Sequence, residues 1–482
     1  MASANFDYII VGAGSAGCIL ALRLAETPGN RVLLLEAGPH KRTKNVRIPA
    51  AFPKLYKSSL DWAYTTEPEP YCANRRMFWP RGRVLGGSHS MNAMLYIRGN
   101  RLDYDAWQDA GCTGWGFDEV LPYFKKTERN ARGASEYHGA DGPLHVVDQR
   151  SPYPFSHAVC AAAQEKGYGI SSDFNAESQE GFGLYQTTQH NGARFSVADI
   201  LVQTSQAKTN ITTICDATVT KILFDGARAV GVQYRCGNYE TAVHANREIV
   251  LSGGAINSPQ LLMLSGIGPA DHLRSFGIDV LADLPGVGGN LQDHLIAGVC
   301  YRAKTRDTLD RAETIGNLLT YLLFKSGPFT SPIAESGGFV RTAPSLPAPD
   351  IQFHCAPGFF VEHGFTKLQG VGFTIGPTLL TPKSRGRIEL AYNDPFKHPR
   401  IFANYLADPD DLRALVAGMR IARDIASANA LHEYVGHEER PGPSVESEEA
   451  IGRFIRETVE TLYHPVGTCA MGVGPEIGRA HV

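Results

Sequence analysis

The sequence predicts an α/β fold in which a mostly parallel sheet carries an inserted α+β domain built on an antiparallel sheet. Three observations predict it. A strand–glycine turn–helix–strand unit opens the chain. Strands joined by a tight hairpin occupy residues 211–251. After Asp293 the texture changes to short strands separated by prolines.

Residues 7–11 (Asp-Tyr-Ile-Ile-Val) are a short β-branched run of the buried-strand type. Gly12-x-Gly14-x-x-Gly17 follows at once, and 18–26 favours helix, with Leu20 and Leu24 one turn apart. Thr27-Pro28-Gly29-Asn30 ends that helix, and 31–36 is a second apolar strand closing on Glu36. Residues 211–224 and 229–234 read as two strands around the hairpin signal Asp225-Gly226. A buried strand at 248–251 precedes Gly253-Gly254. Asn257-Ser258 then caps an expected helix with Pro259 at its first position and Gly266 beyond its end. Residues 295–455 hold short strands, proline joints and one strong helix over 408–427.

Composition narrows the function. Hydrophobic residues make up 43% and charged residues 20%, an ordinary globular balance that argues against disorder. The net charge of −3 argues against a nucleic-acid binder working through bulk positive charge. No apolar run is long enough to span a bilayer, and no secretory signal is visible at the N-terminus. The 9 cysteines are scattered without a CxxC pair, so neither a disulfide framework nor a zinc site is expected, and the default location is a reducing cytoplasm.

The glycine turn reads as a Rossmann-like dinucleotide site. Gly12 permits the tight turn, Gly14 lets backbone approach a pyrophosphate, and Gly17 lets helix and strand pack closely. The helix N-terminus offers unpaired N–H groups to phosphate. Glu36, about 20 residues on, can accept hydrogen bonds from ribose hydroxyls. The same glycines could also serve a tight turn that binds nothing, and the motif does not choose between NAD and FAD.

The rest of the chain supplies that choice. Residues 78–105 contain Gly86-Gly87-Ser88-His89-Ser90-Met91-Asn92-Ala93-Met94-Leu95. Residues 254–268 begin Gly-Ala-Ile-Asn-Ser-Pro-Gln, and residues 463–469 read Tyr-His-Pro-Val-Gly-Thr-Cys. With the N-terminal unit, these stretches resemble the glucose–methanol–choline (GMC) family of FAD-dependent oxidoreductases over nearly the whole chain, leaning toward bacterial choline and alcohol dehydrogenases. One departure is His89, where a small hydroxyl residue or glycine is usual.

The resemblance implies a Rossmann-like FAD-binding domain (1–150, 205–294 and 456–482) with an inserted substrate domain (151–204 and 295–455). Gly12, Gly14, Ser15 and Gly17 would hold the pyrophosphate, Glu36 the ribose and Val219 the adenine. Val84, Gly87, Asn92, Ala93, Met94 and Leu95 would lie along the flavin. Met91 occupies the position where some relatives attach the flavin to a histidine, so FAD is expected to be non-covalent. His464 would be the base that removes the hydroxyl proton as hydride passes to flavin N5, a task suited to a group titrating near neutrality. His138, His294 and His354 are expected to be structural, His354 with some claim on the pocket.

The implied reaction oxidises a primary alcohol or choline to the aldehyde, with a quinone, another carrier or oxygen as acceptor. Peripheral membrane contact is compatible with it. The alternatives are a hydroxynitrile-lyase-like member with redox-idle FAD and an inactive, truncated fragment. A choline site would want aromatic faces and a carboxylate. Phe353, Phe359, Phe360, Tyr321 and Glu335 are of the right types. The family pattern also implies a further strand, a second catalytic His or Asn and a closing helix after the His464 loop, and none has a counterpart here. Residues 476–482 match no family pattern and read as translated sequencing adapter.

Overall fold

Apolar strands in the first fifty residues build the centre of the first sheet. In the computed structural model, which describes residues 6–41, 43–205 and 209–473, Phe6–Val11 (β1) leads through the glycine turn into Ser15–Leu24 (α1) and then Val32–Leu35 (β2). The heptapeptide 476–482 lies outside the described residues. All four side chains of β2 are buried, each worth about 1.5–3 kcal/mol of transfer free energy. Ile211–Ile214 (β3) pairs parallel with β2, and the hairpin Ala217–Asp225 (β4) and Arg228–Cys236 (β5) turns at Asp225-Gly226 as expected. Tyr239–Leu251 (β6) pairs antiparallel with β5 and parallel with β1. The six-stranded order is β3-β2-β1-β6-β5-β4.

Two local expectations change. The single strand expected over 211–224 is two strands, because Asp216 turns the chain at φ +54° and donates its N–H to the Gly38 carbonyl. The helix expected to start at Pro259 instead runs Gly254–Leu264 (α2), with Pro259 inside it. Proline there leaves the Ala255 carbonyl without its helical donor. The Thr468 hydroxyl donates to that carbonyl at 2.6 Å.

The second sheet is eight-stranded and antiparallel. Leu295–Ile296 (β7), Val299–Ala303 (β8), Ser336–Val340 (β9), Ile351–Ala356 (β10), Gly372–Leu379 (β11) and Val435–Arg440 (β12) belong to it. The earlier segment Gly181–Leu184 pairs with β9, and Glu460–Thr461 (β13) pairs with β7. Helix Pro409–Ala426 packs on this sheet and is capped by Asp408, whose side chain accepts from the Asp410 N–H. The helix Val197–Ser205, near the end of the 151–204 segment, packs against α1 beside the first sheet. The catalytic-loop candidate therefore emerges where the two sheets meet: β13 ends on it, and Thr468 ties it back to α2.

Candidate functional site

The glycine turn is shaped by three different needs. Gly12 sits at φ +96°, and a Cβ there would lie 2.6 Å from the Ser252 carbonyl oxygen. A Cβ on Gly17 would lie 2.0 Å from the Gly12 carbonyl oxygen, so helix and strand touch backbone to backbone. A Cβ on Gly14 would meet nothing within 4 Å. The protein thus leaves Gly14 bare on its outer side, as close approach of a phosphate requires. Ser15 is exposed at the start of α1, where its side chain caps nothing.

Glu36 is buried behind this turn. Its Oε2 accepts from the Ala13 N–H at 2.9 Å and its Oε1 from the Gly38 N–H at 2.8 Å. Burial pushes its carboxyl up to about 7, against these two bonds and Arg83. Each oxygen keeps a second lone pair, so the carboxylate can brace the turn and still accept from a diol. Val219 is half-buried in β4 opposite Tyr234, among the apolar side chains beside α2.

The segment 84–95 crosses in front of the turn. Gly86 donates its N–H to the Ala13 carbonyl at 2.8 Å, and a Cβ on Gly87 would lie 2.8 Å from the Gly14 Cα. Val84 is buried with Met91 and Tyr56. Asn92, Ala93, Met94 and Leu95 form one wall of a cavity of about 440 Å³, and His464 stands on its lining. Met91 also lines this cavity. His89 is buried nearby, its Nε2 3.2 Å from the Thr188 hydroxyl and its pKa lowered by burial and Arg194 to about 3.

A histidine pair marks the opposite wall. His464 Nδ1 and His294 Nδ1 are 3.1 Å apart, with the rings nearly perpendicular at 76°. His294 also bonds the Leu380 carbonyl. Only one of the two facing Nδ1 atoms carries the shared proton, the other accepting it. In the tautomer with that proton on His464 Nδ1, Nε2 of His464 holds the lone pair. Among the described residues Nε2 has no protein partner. His464 is exposed to the open cavity, yet desolvation by the surrounding walls, then His294, His354 and Arg81, hold it well below the ordinary histidine range, and burial lowers His294 to about 4. Both rings are neutral near neutrality. His354, with Nδ1 3.1 Å from the Thr378 hydroxyl, lines the same cavity. His294 therefore joins His464 on the cavity lining.

The His464 loop is held by a buried carboxylate. Asp293 accepts from the His464 N–H at 2.7 Å, from the Thr461 hydroxyl at 2.5 Å and from the Tyr405 hydroxyl. Tyr463, at φ +69°, is an unfavourable left-handed residue. Arg81 Nη1 donates to its carbonyl at 2.7 Å and fixes it there. Across the cavity Arg194 donates to Asn92 Oδ1 at 2.7 Å, to the Asn92 carbonyl at 2.6 Å and to the His89 carbonyl at 3.1 Å. Nothing local in the sequence marks Arg81, Arg194 or Asp293. Of the aromatic and acidic residues considered for a cationic substrate, only Phe360 lines the cavity, while Glu460 and Tyr56, not anticipated, do. His138 is remote from this cluster, bonded to Glu128 and Asp173.

The donor set fits a flavin dinucleotide: a bare glycine at a helix N-terminus, a buried carboxylate behind it and a cavity between Asn92 and His464. Comparisons with known proteins agree. The family description GMC oxidoreductase matches residues 6–296 and again residues 382–478. An alcohol dehydrogenase [acceptor] from Pseudomonas putida is 43% identical over 98% of this chain and 87% of its own length. Mitochondrial choline dehydrogenase of Mus musculus is 41% identical over 97% of this chain and 80% of its own. The crystal structure of pyridoxine 4-oxidase from Mesorbium loti superposes with a TM-score of 0.89 at 31% identity, covering 98% of this chain and 90% of that one.

Proposed function

The chain belongs to the GMC oxidoreductase family, and on that footing we propose that it oxidises a primary alcohol to the aldehyde, using non-covalently bound FAD and His464 as base. The observation that carries this reading is the His294–His464 contact on the cavity wall, which suits the tautomer with the shared proton on His464 Nδ1 and the lone pair on its Nε2. Bound FAD would supply the two-electron acceptor. Gly12, Gly14, Ser15 and Gly17 would hold its pyrophosphate, Glu36 its ribose and Val219 its adenine. Val84, Gly87 and the segment Asn92, Ala93, Met94 and Leu95 would flank the flavin. Met91, not a histidine, stands on the lining in this segment, which favours a non-covalent cofactor.

The chain's own part is proton removal and positioning. Nε2 of His464 takes the substrate hydroxyl proton as the α-hydride departs. The imidazolium so formed keeps its Nδ1–H on His294, which passes part of the charge toward the Leu380 carbonyl. Asp293 and Arg81 keep the loop from swinging out during turnover. Met91, Ile296 and Phe360 give the cavity walls that exclude water and suit the carbon skeleton of an alcohol. A quinone, another carrier or oxygen would reoxidise the enzyme.

His464→Ala tests the reading. The variant should retain flavin yet be bleached by alcohol, without oxygen, about 10²-fold more slowly, the usual worth of a positioned base. Near-normal bleaching would remove His464 from the role. Wild-type flavin that no alcohol bleaches would instead favour a redox-idle lyase.

A further inference from the structure

Arg194 is a buried cation without an anion. The residue is 4% exposed. Its Nε donates to the Val46 carbonyl at 2.9 Å, its Nη1 to the His89 carbonyl and Asn92 Oδ1, and its Nη2 to the Asn92 carbonyl. Every one of these acceptors is neutral. Among the described residues no carboxylate comes within ion-pair distance of the guanidinium. Asp199, in the same small recess, accepts from the N–H and the hydroxyl of Ser196. Burial lowers the pKa of Arg194 to about 9, with the Tyr56 phenol opposing, so it stays protonated near neutrality. A buried, unpaired charge is costly, and neutral donors could brace the same carbonyls without that cost.

The charge is directed at Asn92. Asn92 Oδ1 accepts from Arg194 at 2.7 Å and from the Met94 N–H at 3.1 Å. Both bonds require the oxygen, so the amide is held one way round, with Nδ2 turned from Arg194. Asn92 lines the cavity and is exposed to it, and among the described residues nothing accepts from Nδ2. What Asn92 offers the cavity is therefore a pair of N–H donors, polarised by a full positive charge one hydrogen bond behind them. That suits the chemistry of the cavity. An alcohol that gives its hydroxyl proton to His464 and its α-hydride to flavin leaves one net negative charge on the ring system. A preorganised cation behind the wall favours that charged state.

We propose that Arg194 is a positioning residue that presents the Asn92 amide to the flavin and raises the flavin's reduction potential. The proposal rests on flavin lying beside Asn92. Neither an alcohol nor His464 enters its test, so failure of the alcohol reading shows in bleaching and failure of this one in the potential.

The test is dye-equilibration potentiometry of the full FAD-loaded chain without alcohol. Arg194→Gln should disfavour reduced flavin about tenfold, a midpoint about 30 mV lower for a two-electron couple. Arg194→Lys, which keeps the charge but not the planar fork, should recover most of that loss. Asn92→Asp retains an oxygen for both bonds at nearly the same volume and sets a carboxylate against Arg194. It should lower the potential too, and it tests the same charge where Arg194→Gln does not fold. An Arg194→Gln equilibrium within twofold of wild type would overturn the proposal. Equal losses in Arg194→Gln and Arg194→Lys would also overturn it, assigning the effect to packing rather than charge, as would an unchanged potential in Asn92→Asp.

Discussion

His294→Phe isolates the contribution of the histidine pair. Phenylalanine preserves the ring's bulk but removes the acceptor that His464 Nδ1–H uses at 3.1 Å. Before reaction that bond joins two neutral groups, worth about 0.5–1.5 kcal/mol; once His464 is protonated it becomes charge-assisted, worth about 1.5–3 kcal/mol. Only the difference, about 1–2 kcal/mol, lowers the barrier, because binding both states equally accelerates nothing. At 1.36 kcal/mol per factor of ten, the variant should reduce its flavin roughly 5- to 30-fold more slowly. The assay is anaerobic rapid mixing with saturating alcohol, following flavin absorbance, with flavin content matched to wild type. A rate within twofold of wild type would show that His464 does not depend on His294 for its tautomer. A loss beyond about 10³-fold would exceed any acceptor effect and make His294 itself the base.

The glycine turn separates fold from cofactor. Gly17→Ala places a methyl 2.0 Å from backbone and should cost about 3 kcal/mol of stability as well as flavin. Gly14→Ala, with no protein atom within 4 Å, should leave the apoprotein's melting temperature unchanged while lowering FAD affinity; equal melting losses in the two would refute the distinction. Glu36→Ala should weaken FAD binding by about 1–3 kcal/mol in a flavin titration, and an unchanged affinity would remove Glu36 from the ribose. For His138, burial lowers the pKa, but hydrogen bonds to Asp173 and Glu128 outweigh it and raise the group to about 9. A folded value above the unfolded one of about 6.5 means that the stabilisation is complete below pH 6.5 and is lost as pH rises through 9. His138→Gln should therefore cost about 1–3 kcal/mol in denaturant unfolding at pH 6 and little at pH 10; equal costs at both would contradict the assignment.

What the sequence reveals here is what short segments decide. The βαβ unit, the Asp225-Gly226 hairpin and the capped helix 409–426 rest on neighbours within a few residues, and all appear in the structure. Local propensity fails where a distant group intervenes. Pro259 reads as a helix start, yet a hydroxyl from the far end of the chain satisfies the carbonyl that proline orphans. Residues 211–224 read as one strand, yet Gly38 supplies the acceptor that lets Asp216 turn. The candidate site divides in the same way. Gly12, Gly14, Gly17 and His464 announce themselves through their immediate neighbours. Arg194 reaches Asn92 across 102 positions, and Arg81 reaches Tyr463 across 382, pairings with no trace in either local sequence. His294 has an informative neighbour in Asp293, but only the folded chain brings both to the same loop.

The proline inside α2 has an evolutionary consequence. Because residue 259 offers no amide hydrogen, Thr468 is the donor that satisfies the Ala255 carbonyl. Any other residue at 259 would bring a second donor, and the carbonyl would no longer depend on Thr468 alone. Conversely, Thr468→Val on its own strands a carbonyl, whereas the same change beside a non-proline at 259 need not. The two positions should therefore show strong epistasis: each substitution harmful alone, the pair less harmful than their sum. In lineages that drift at one site, the fate of a loop at the far end of the chain is tied to a single imino acid in α2.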